Sequence, residues 1–302
     1  MNFGDRVANA VRERESQLLL GLDPDPAELL PAARAAATGE SAAARAATAV
    51  AAHCRALVDS AGAACAGVKL QLACFERLGA PGWGALVEVA AHARDTGLLV
   101  VADGKRGDVP HTAAAYAQAL LGTTETEWGT VPGLGADAVT VNPLLGRDAL
   151  EPFVEAARAR SAGVFVLVRT SNPGAAEIQD VAPGGGPPLR DRLAAIVHDL
   201  GAPGVGEHGL SDVGAVVAAT EPSLLAALRA RMPHAVLLLP GVGAQGGRVE
   251  DLAPAFAGRP AAALVTVSRS IARAALDSRD PGAALRVAEE LRAAAWSVAA
   301  AA

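Results

Sequence analysis

An apolar run, Val100-Val101-Ala102, ends abruptly in Asp103-Gly104-Lys105-Arg106-Gly107-Asp108. Asp103 and Asp108 bracket a single lysine, Lys105. Such an alternation of charge sets up a field that can stabilise a developing anion without metal or organic cofactor. A hydrophobic run that stops in charge marks a buried strand delivering side chains to a site. The same letters also fit a strand followed by a solvated turn, and the stretch alone leaves both readings open.

The rest of the chain supplies elements to position such a site. Continuous apolar runs predict strands at Leu18–Asp23, Ala66–Gln71, Leu98–Asp103, Ala136–Pro143, Gly163–Thr170, Asp212–Thr220, Ala235–Val242 and Ala261–Arg269. Runs that are apolar throughout, rather than alternating, belong to parallel strands buried on both faces. Between them, helical patterns cover Ser41–Ala61, Gly82–Gly97, Pro110–Leu121, Asp148–Arg160, Leu189–Leu200, Pro222–Arg231 and Arg248–Phe256, and Pro281–Val298 closes the chain. The number and length of these units predict a (β/α)8 TIM barrel spanning residues 1–302 as one domain. A doubly wound sheet is the alternative. Two extended loops, Gly122–Gly135 and Ser171–Pro188, interrupt the rhythm. Segments of this length are often lids or binding loops, and they can equally be insertions without a role.

In a barrel the chemistry collects at the C-terminal strand ends. Those ends carry Asp23; Lys69 and Gln71; Asp103, Lys105 and Asp108; Asn142-Pro143; Thr170-Ser171-Asn172; Thr220; Pro240 through Gly247; and Ser268-Arg269-Ser270. Thr170, Asn172, Thr220 and Ser270 also fit ordinary cap or turn positions. Lys69 does not, because a lysine inside Gly67-Val68-Lys69-Leu70 interrupts a buried run and requires a charged partner. Asp103 or Asp23 would supply one. The loop after the seventh strand reads Gly-x-Gly-x-x-Gly from Gly241 to Gly246 and is expected to open a helix whose backbone amides cradle a phosphate. A dinucleotide fold would use similar glycines, with Arg269 on a 2′-phosphate. Only one strand and one helix follow this loop, so a monophosphate cup between the last two barrel strands fits better.

Composition narrows the function. The 302 residues are 51% hydrophobic and 19% charged, enough for a large core. A net charge of -6 and a pI near 5.6 give no basic face for nucleic acid. Cys54, Cys65 and Cys74 have no Cys-x-x-Cys spacing and read as reduced thiols. The six histidines show no zinc spacing, so no metal ligand set is expected. No signal-peptide pattern or membrane-spanning run of roughly 18 apolar residues is present, and a cytoplasmic protein is expected.

With these residues in place the chain resembles orotidine 5′-phosphate decarboxylase, nearly end to end from Gly21-Leu22-Asp23-Pro24 to Val267-Ser268-Arg269-Ser270. The most specific segment is Asp103-x-Lys105-x-x-Asp108 with Val109 and Thr112. Val68-Lys69-x-Gln71 with Phe75-Glu76, Thr170-Ser171-Asn172-Pro173 and Pro240-Gly241-Val242-Gly243-x-Gln245-Gly246-Gly247 support it. The long loops, with Thr-Ser-Asn-Pro and Val-Asn-Pro-Leu-Leu-Gly, look like the longer bacterial subgroup, type 2.

The resemblance implies a homodimer with shared sites, no cofactor, and orotidine 5′-monophosphate as substrate in UMP biosynthesis. It implies that Lys69, Asp103, Lys105 and the partner subunit's Asp108 form the charge network. Asp23 and Lys69 would hold the ribose 3′-hydroxyl, and the partner subunit's Asp108 and Thr112 would meet the 2′-hydroxyl. Ser171 would bond the pyrimidine. Gln245 and Arg269, with the Pro240 loop backbone, would grip the phosphate. Lys105, kept charged by its carboxylate neighbours, would stabilise and protonate a C6 carbanion. Leu70, Gly104, His111 and Ala218-Ala219-Thr220 depart from the family's common pattern without removing a reacting group. His111 would lie beside the ribose. Two rivals stay open: a Mg2+-dependent relative with the same Asp-x-Lys-x-x-Asp framework, for which Glu76 is the nearest extra acid, and a non-catalytic or NADP-binding protein.

Overall fold

A computed structural model describes residues 1–278 and 282–302. Eight parallel strands close into a barrel: β1 (Leu18–Leu22), β2 (Gly67–Gln71), β3 (Leu99–Arg106), β4 (Ala138–Val141), β5 (Gly163–Arg169), β6 (Val213–Val217), β7 (Leu237–Leu239) and β8 (Ala263–Val267). Each strand pairs with its sequence neighbours, and β1 closes on β8 through Leu18–Val265 and Leu20–Val267. All eight predicted strands are found, and the fold is the expected (β/α)8 barrel. The doubly wound alternative is set aside by the closure.

β1, β4, β5, β6, β7 and β8 are buried at every position, as continuous apolar runs require when one face meets the barrel interior and the other the helices. The inner core includes Leu19, Val101, Phe165, Leu238 and Leu264. The outer core fills the space between strands and the surrounding helices.

Helices at Ala42–Ala61, Gly79–Asp95, Pro110–Leu120, Glu151–Ala159, Leu189–Gly201 and Pro222–Arg231 match the predicted ones closely. The predicted helix at Arg248–Phe256 is a 3-10 turn, Val249–Leu252, followed by one α turn, Ala253–Phe256. The last helix is Ala283–Ala301, and the predicted start at Pro281 lies outside the described residues.

One unpredicted helix matters for the site. Phe3–Arg14 caps the N-terminal end of the barrel, with Asn2 and Asp5 forming a reciprocal capping box. Its Phe3, Val7 and Val11 join the inner core. Phe3 meets Phe165 edge-on at 5.8 Å between ring centres. Gly163 makes room for it, since a Cβ there would stand 2.1 Å from the Phe3 ring.

The two expected loops differ from one another. Within 122–135, Thr123–Thr126 and Gly129–Pro132 pair antiparallel as a hairpin with Trp128 exposed at its turn. The hairpin links a helix end to the start of β4, at the end of the barrel away from the strand C-termini. It is therefore a surface excursion and no lid. The segment 171–188 follows β5 at the opposite end. It holds a short helix, Ala175–Gln179, and a 3-10 turn, Pro183–Gly185.

Candidate active site

The C-terminal strand ends surround a cavity of about 670 Å³. Of the residues singled out from sequence, Asp23, Lys69, Asp103, Lys105, Ser171, Pro240, Gln245 and Arg269 line it. Its deeper wall is apolar, formed by Leu167, Val216 and Leu238 from three adjacent strands.

The floor of charge is built on β2 and β3. Asp103 is the centre. Lys69 Nζ donates to its Oδ2 at 2.9 Å, and Lys105 Nζ donates to its Oδ1 at 2.7 Å. Gln71 Nε2 adds a donor to Oδ2 at 3.3 Å, and Thr140 Oγ1 one to Oδ1 at 2.8 Å. Lys69 reaches a second carboxylate, Asp23 Oδ1, at 3.4 Å. The partner required by a lysine in a buried strand is thus present twice.

Burial of Asp103 opposes its ionisation, but the Lys69 and Lys105 ammonium groups outweigh that cost and hold its carboxyl well below the usual range. Burial likewise opposes the charge on Lys69. Asp103 and Asp23 overcome it and raise the ammonium above its ordinary value. Both side chains are 7% exposed, whereas that of Lys105 is 43% exposed. Lys69 is enclosed in the floor, and Lys105 is the ammonium open to the cavity.

The wall after β7 and β8 suits an anion. Arg269 opens the helix Arg269–Asp277, next to Ser268 at the N-cap, and lines the cavity with a side chain that makes no hydrogen bond or ion pair among the described residues. A helix N-terminus adds positive potential. The Gly241–Gly247 loop contributes Gln245 and Ala244 to the wall. Gly241, Gly243 and Gly246 all have positive φ, which explains the glycine spacing. The expectation that this loop opens a helix is corrected. It folds back on itself, with Gly247 N donating to Gly241 O and Gly243 N to Gly247 O, and the 3-10 turn follows only at Val249. The Gly243, Gly246 and Gly247 amides are thus committed within the loop, and Arg269, the helix end and Gln245 are the groups on this wall suited to an anion.

Asp108 and Thr112 do not line the cavity of their own chain. The Asp108 carboxylate accepts Val109 N at 2.8 Å. His111, expected beside the ribose, is exposed on the following helix and also lies outside the cavity. Glu76, the extra acid considered for a metal, pairs with Arg106, whose guanidinium also stacks over Tyr116.

Three residues were missed from sequence. Thr140 looked like one more strand residue in Ala138-Val139-Thr140-Val141. Arg169, the last residue of β5, is buried and binds Asp180 and Glu221. Gln179 lines the cavity and accepts Thr170 N at 2.8 Å. Thr170 also bonds Asn172, so the turn role expected of this pair coincides with a place in the cavity wall.

Comparison with known proteins agrees with this geometry. A 42% identical relative from Rhodopirellula baltica, matched over 274 residues, covers 90% of this chain and 88% of its own, and is named orotidine 5′-phosphate decarboxylase. A relative of the same name from Deinococcus radiodurans is 48% identical over 231 residues, 76% of this chain and 78% of that protein. Among solved structures, Leishmania donovani OMP decarboxylase superposes with a TM-score of 0.72 at 31% identity, covering 98% of this chain and 99% of that one. The family model that matches residues 16–288 places a barrel with this arrangement of lysines and aspartates in context: the chain belongs to the orotidine 5′-phosphate decarboxylase / HUMPS family.

Proposed function

We propose that the protein converts orotidine 5′-monophosphate to UMP and CO2, in pyrimidine biosynthesis, as one TIM-barrel decarboxylase domain. The observation that carries this reading is that the Lys69–Asp103–Lys105 chain of charge and Arg269, whose side chain has no ion pair among the described residues, line one cavity. The substrate carries two anionic groups, a phosphate and a carboxylate, and the cavity offers separate cations for them. Arg269 and Gln245 hold the phosphate. Asp23 and Lys69 hold the ribose, and Ser171 bonds the base.

Loss of CO2 breaks the bond from C6 to the carboxylate carbon and leaves its electron pair on C6. The Lys105 ammonium lies on that side, stabilises the carbanion electrostatically and donates a proton to C6. Water returns a proton to the lysine. No electrons are exchanged with a cofactor. Asp103 fixes the Lys105 ammonium through the 2.7 Å contact. Binding energy from the distant phosphate is available to close the segment 171–188 over the base and so lower the barrier.

We further propose a cytoplasmic homodimer in which the partner subunit's Asp108 and Thr112 complete each site. Support comes from the position of these residues outside their own cavity, in the turn and first helical turn that follow the Lys105 strand. Among the described residues no helix is long and apolar enough to cross a membrane. Cys54 and Cys65 are buried free thiols, as a reducing compartment permits, and burial pushes the Cys65 thiol up to about 12.

The decisive experiment follows the ultraviolet change of orotidine 5′-monophosphate with EDTA present. Turnover that survives chelation is expected. Absence of turnover by folded protein overturns the reading, and turnover lost to EDTA and restored by Mg2+ favours the metal-dependent relative.

A further inference from the structure

One hydroxyl joins the two ends of the charge pair. Along β3 and β4, Ala102 pairs with Val139 and Arg106 with Val141. Asp103, Gly104 and Lys105 therefore stand opposite Thr140 alone. At such a bulge the ladder cannot supply every backbone partner. Lys105 takes φ +48°, a left-handed conformation that costs free energy for a residue with a side chain. Its amide donates to Thr140 Oγ1 at 2.9 Å instead of to a strand carbonyl. The same hydroxyl donates to Asp103 Oδ1 at 2.8 Å, and that oxygen accepts Lys105 Nζ at 2.7 Å. The directions are forced, since an amide N–H only donates and an ionised carboxylate only accepts. Thr140 is 1% exposed, so water does not readily substitute for it.

We propose that Thr140 is a positioning residue for the proton-donating lysine. Its hydroxyl holds the Lys105 backbone in the left-handed region and the Asp103 carboxylate in one rotamer, so that Nζ is aimed at C6 before substrate binds. This rests on the decarboxylase reading above. Valine has nearly the shape of threonine but lacks the hydroxyl. In Thr140→Val the Lys105 amide and Asp103 Oδ1 each lose a partner, and the bulge is free to relax. Serine retains both bonds.

The test compares wild type, Thr140→Val and Thr140→Ser for steady-state turnover of orotidine 5′-monophosphate and for UMP affinity. Thr140→Val is expected to lose about 10- to 100-fold in kcat, the scale of one hydrogen bond to a charged group. UMP affinity should change less than about 3-fold, and Thr140→Ser should recover to within about 3-fold of wild-type kcat. An active wild type matched by Thr140→Val overturns the role of Thr140 alone. Equal loss in both variants overturns it too, because the hydroxyl is then irrelevant. A kcat loss with an equal loss of UMP affinity assigns Thr140 to the scaffold and overturns it as well. A folded wild type that turns over nothing overturns the decarboxylase reading and this role together.

Discussion

Arg169 and Asp180 meet through two parallel bonds, Nε to Oδ1 and Nη2 to Oδ2, both 3.1 Å. Arg169 is buried at the end of β5, and Asp180 lies in the segment that follows. The pair fastens that segment across the cavity wall. Arg190 donates to the same carboxylate, and burial of Asp180 is outweighed by these guanidinium groups, which hold its carboxyl below the usual range. Ser171 and Gln179 lie between the two anchor points in sequence.

Arg169→Met should therefore loosen the segment 171–188, on which the proposed base contact Ser171 sits. It removes a geometrically matched carboxylate pair and leaves Asp180 with Arg190 alone. We expect KM for orotidine 5′-monophosphate to rise about 10-fold or more, in line with loss of a charged hydrogen-bonded pair. Limited proteolysis within 171–188 should accelerate. Unchanged KM and cleavage rate would show that the segment is held by other contacts.

Lys105→Ala should abolish decarboxylation, with kcat falling by about 1,000-fold or more, since one group supplies both proton and electrostatic stabilisation. Circular dichroism and UMP binding should persist, because the Lys105 side chain is half in solvent and the buried Asp103 carboxylate keeps Lys69, Gln71 and Thr140 as partners. A variant with near wild-type rate would sink the mechanism.

Removing the guanidinium in Arg269→Ala should weaken UMP binding by about 10- to 100-fold, the range for a charge-assisted contact. Uridine, which lacks the phosphate, should bind the variant and wild type alike. Calorimetric titration with both ligands checks this. Equal losses for the two would place Arg269 away from the phosphate.

Subunits carrying Lys105→Ala and Asp108→Ala should complement each other when mixed. In a shared-site dimer one of the two sites of each heterodimer is intact, so random exchange gives about a quarter of wild-type activity. Each variant alone should be nearly inactive. No recovery after exchange, verified by native mass spectrometry, would place Asp108 outside the neighbouring site.

A pH effect is expected away from the site. His53 is buried, accepts Leu30 N–H at Nδ1 at 3.2 Å, and burial pushes its pKa down to about 4. The unfolded chain takes up this proton near pH 6.5. The folded state resists until about pH 4. Stability should consequently fall as pH drops below about 6.5, with the loss complete near the folded value. Between pH 7 and 5 the His53 contribution is of order 2 kcal/mol. His53→Asn keeps an acceptor in place of Nδ1 and removes the titration. Urea midpoints should depend less on pH in this variant, and identical profiles would refute the assignment.

The barrel was legible because strands buried on both faces need unbroken apolar runs, and several of these runs end in polar residues that line the cavity, such as Asp23, Gln71, Asp103, Thr170 and Arg269. Lys69 announced its partners for the same reason. The first helix carries a readable Phe3, Val7, Val11 period, but so short a segment ahead of β1 has no strand pattern to anchor it. The 122–135 hairpin hid behind its glycines, since length alone does not tell which end of a barrel a connection occupies. The Gly241–Gly247 loop shows the limit of spacing: the glycines mark positive φ, while the destination of their amides depends on folding back. Thr140 and Arg169 were invisible for a different reason. Their roles come from a register shift and from a segment eleven residues downstream, and neither leaves a local mark.

Phe3, packed under Phe165 against Gly163, gives the barrel a sealed base. The barrel is in this respect a cup with a floor: below the cavity at the strand C-termini lie Leu167, Val216 and Leu238, and below them the phenylalanine plug. On the reading proposed above, the nucleotide enters and leaves on the side that carries Lys105, Arg269 and Ser171, and the first helix keeps solvent from reaching it from beneath.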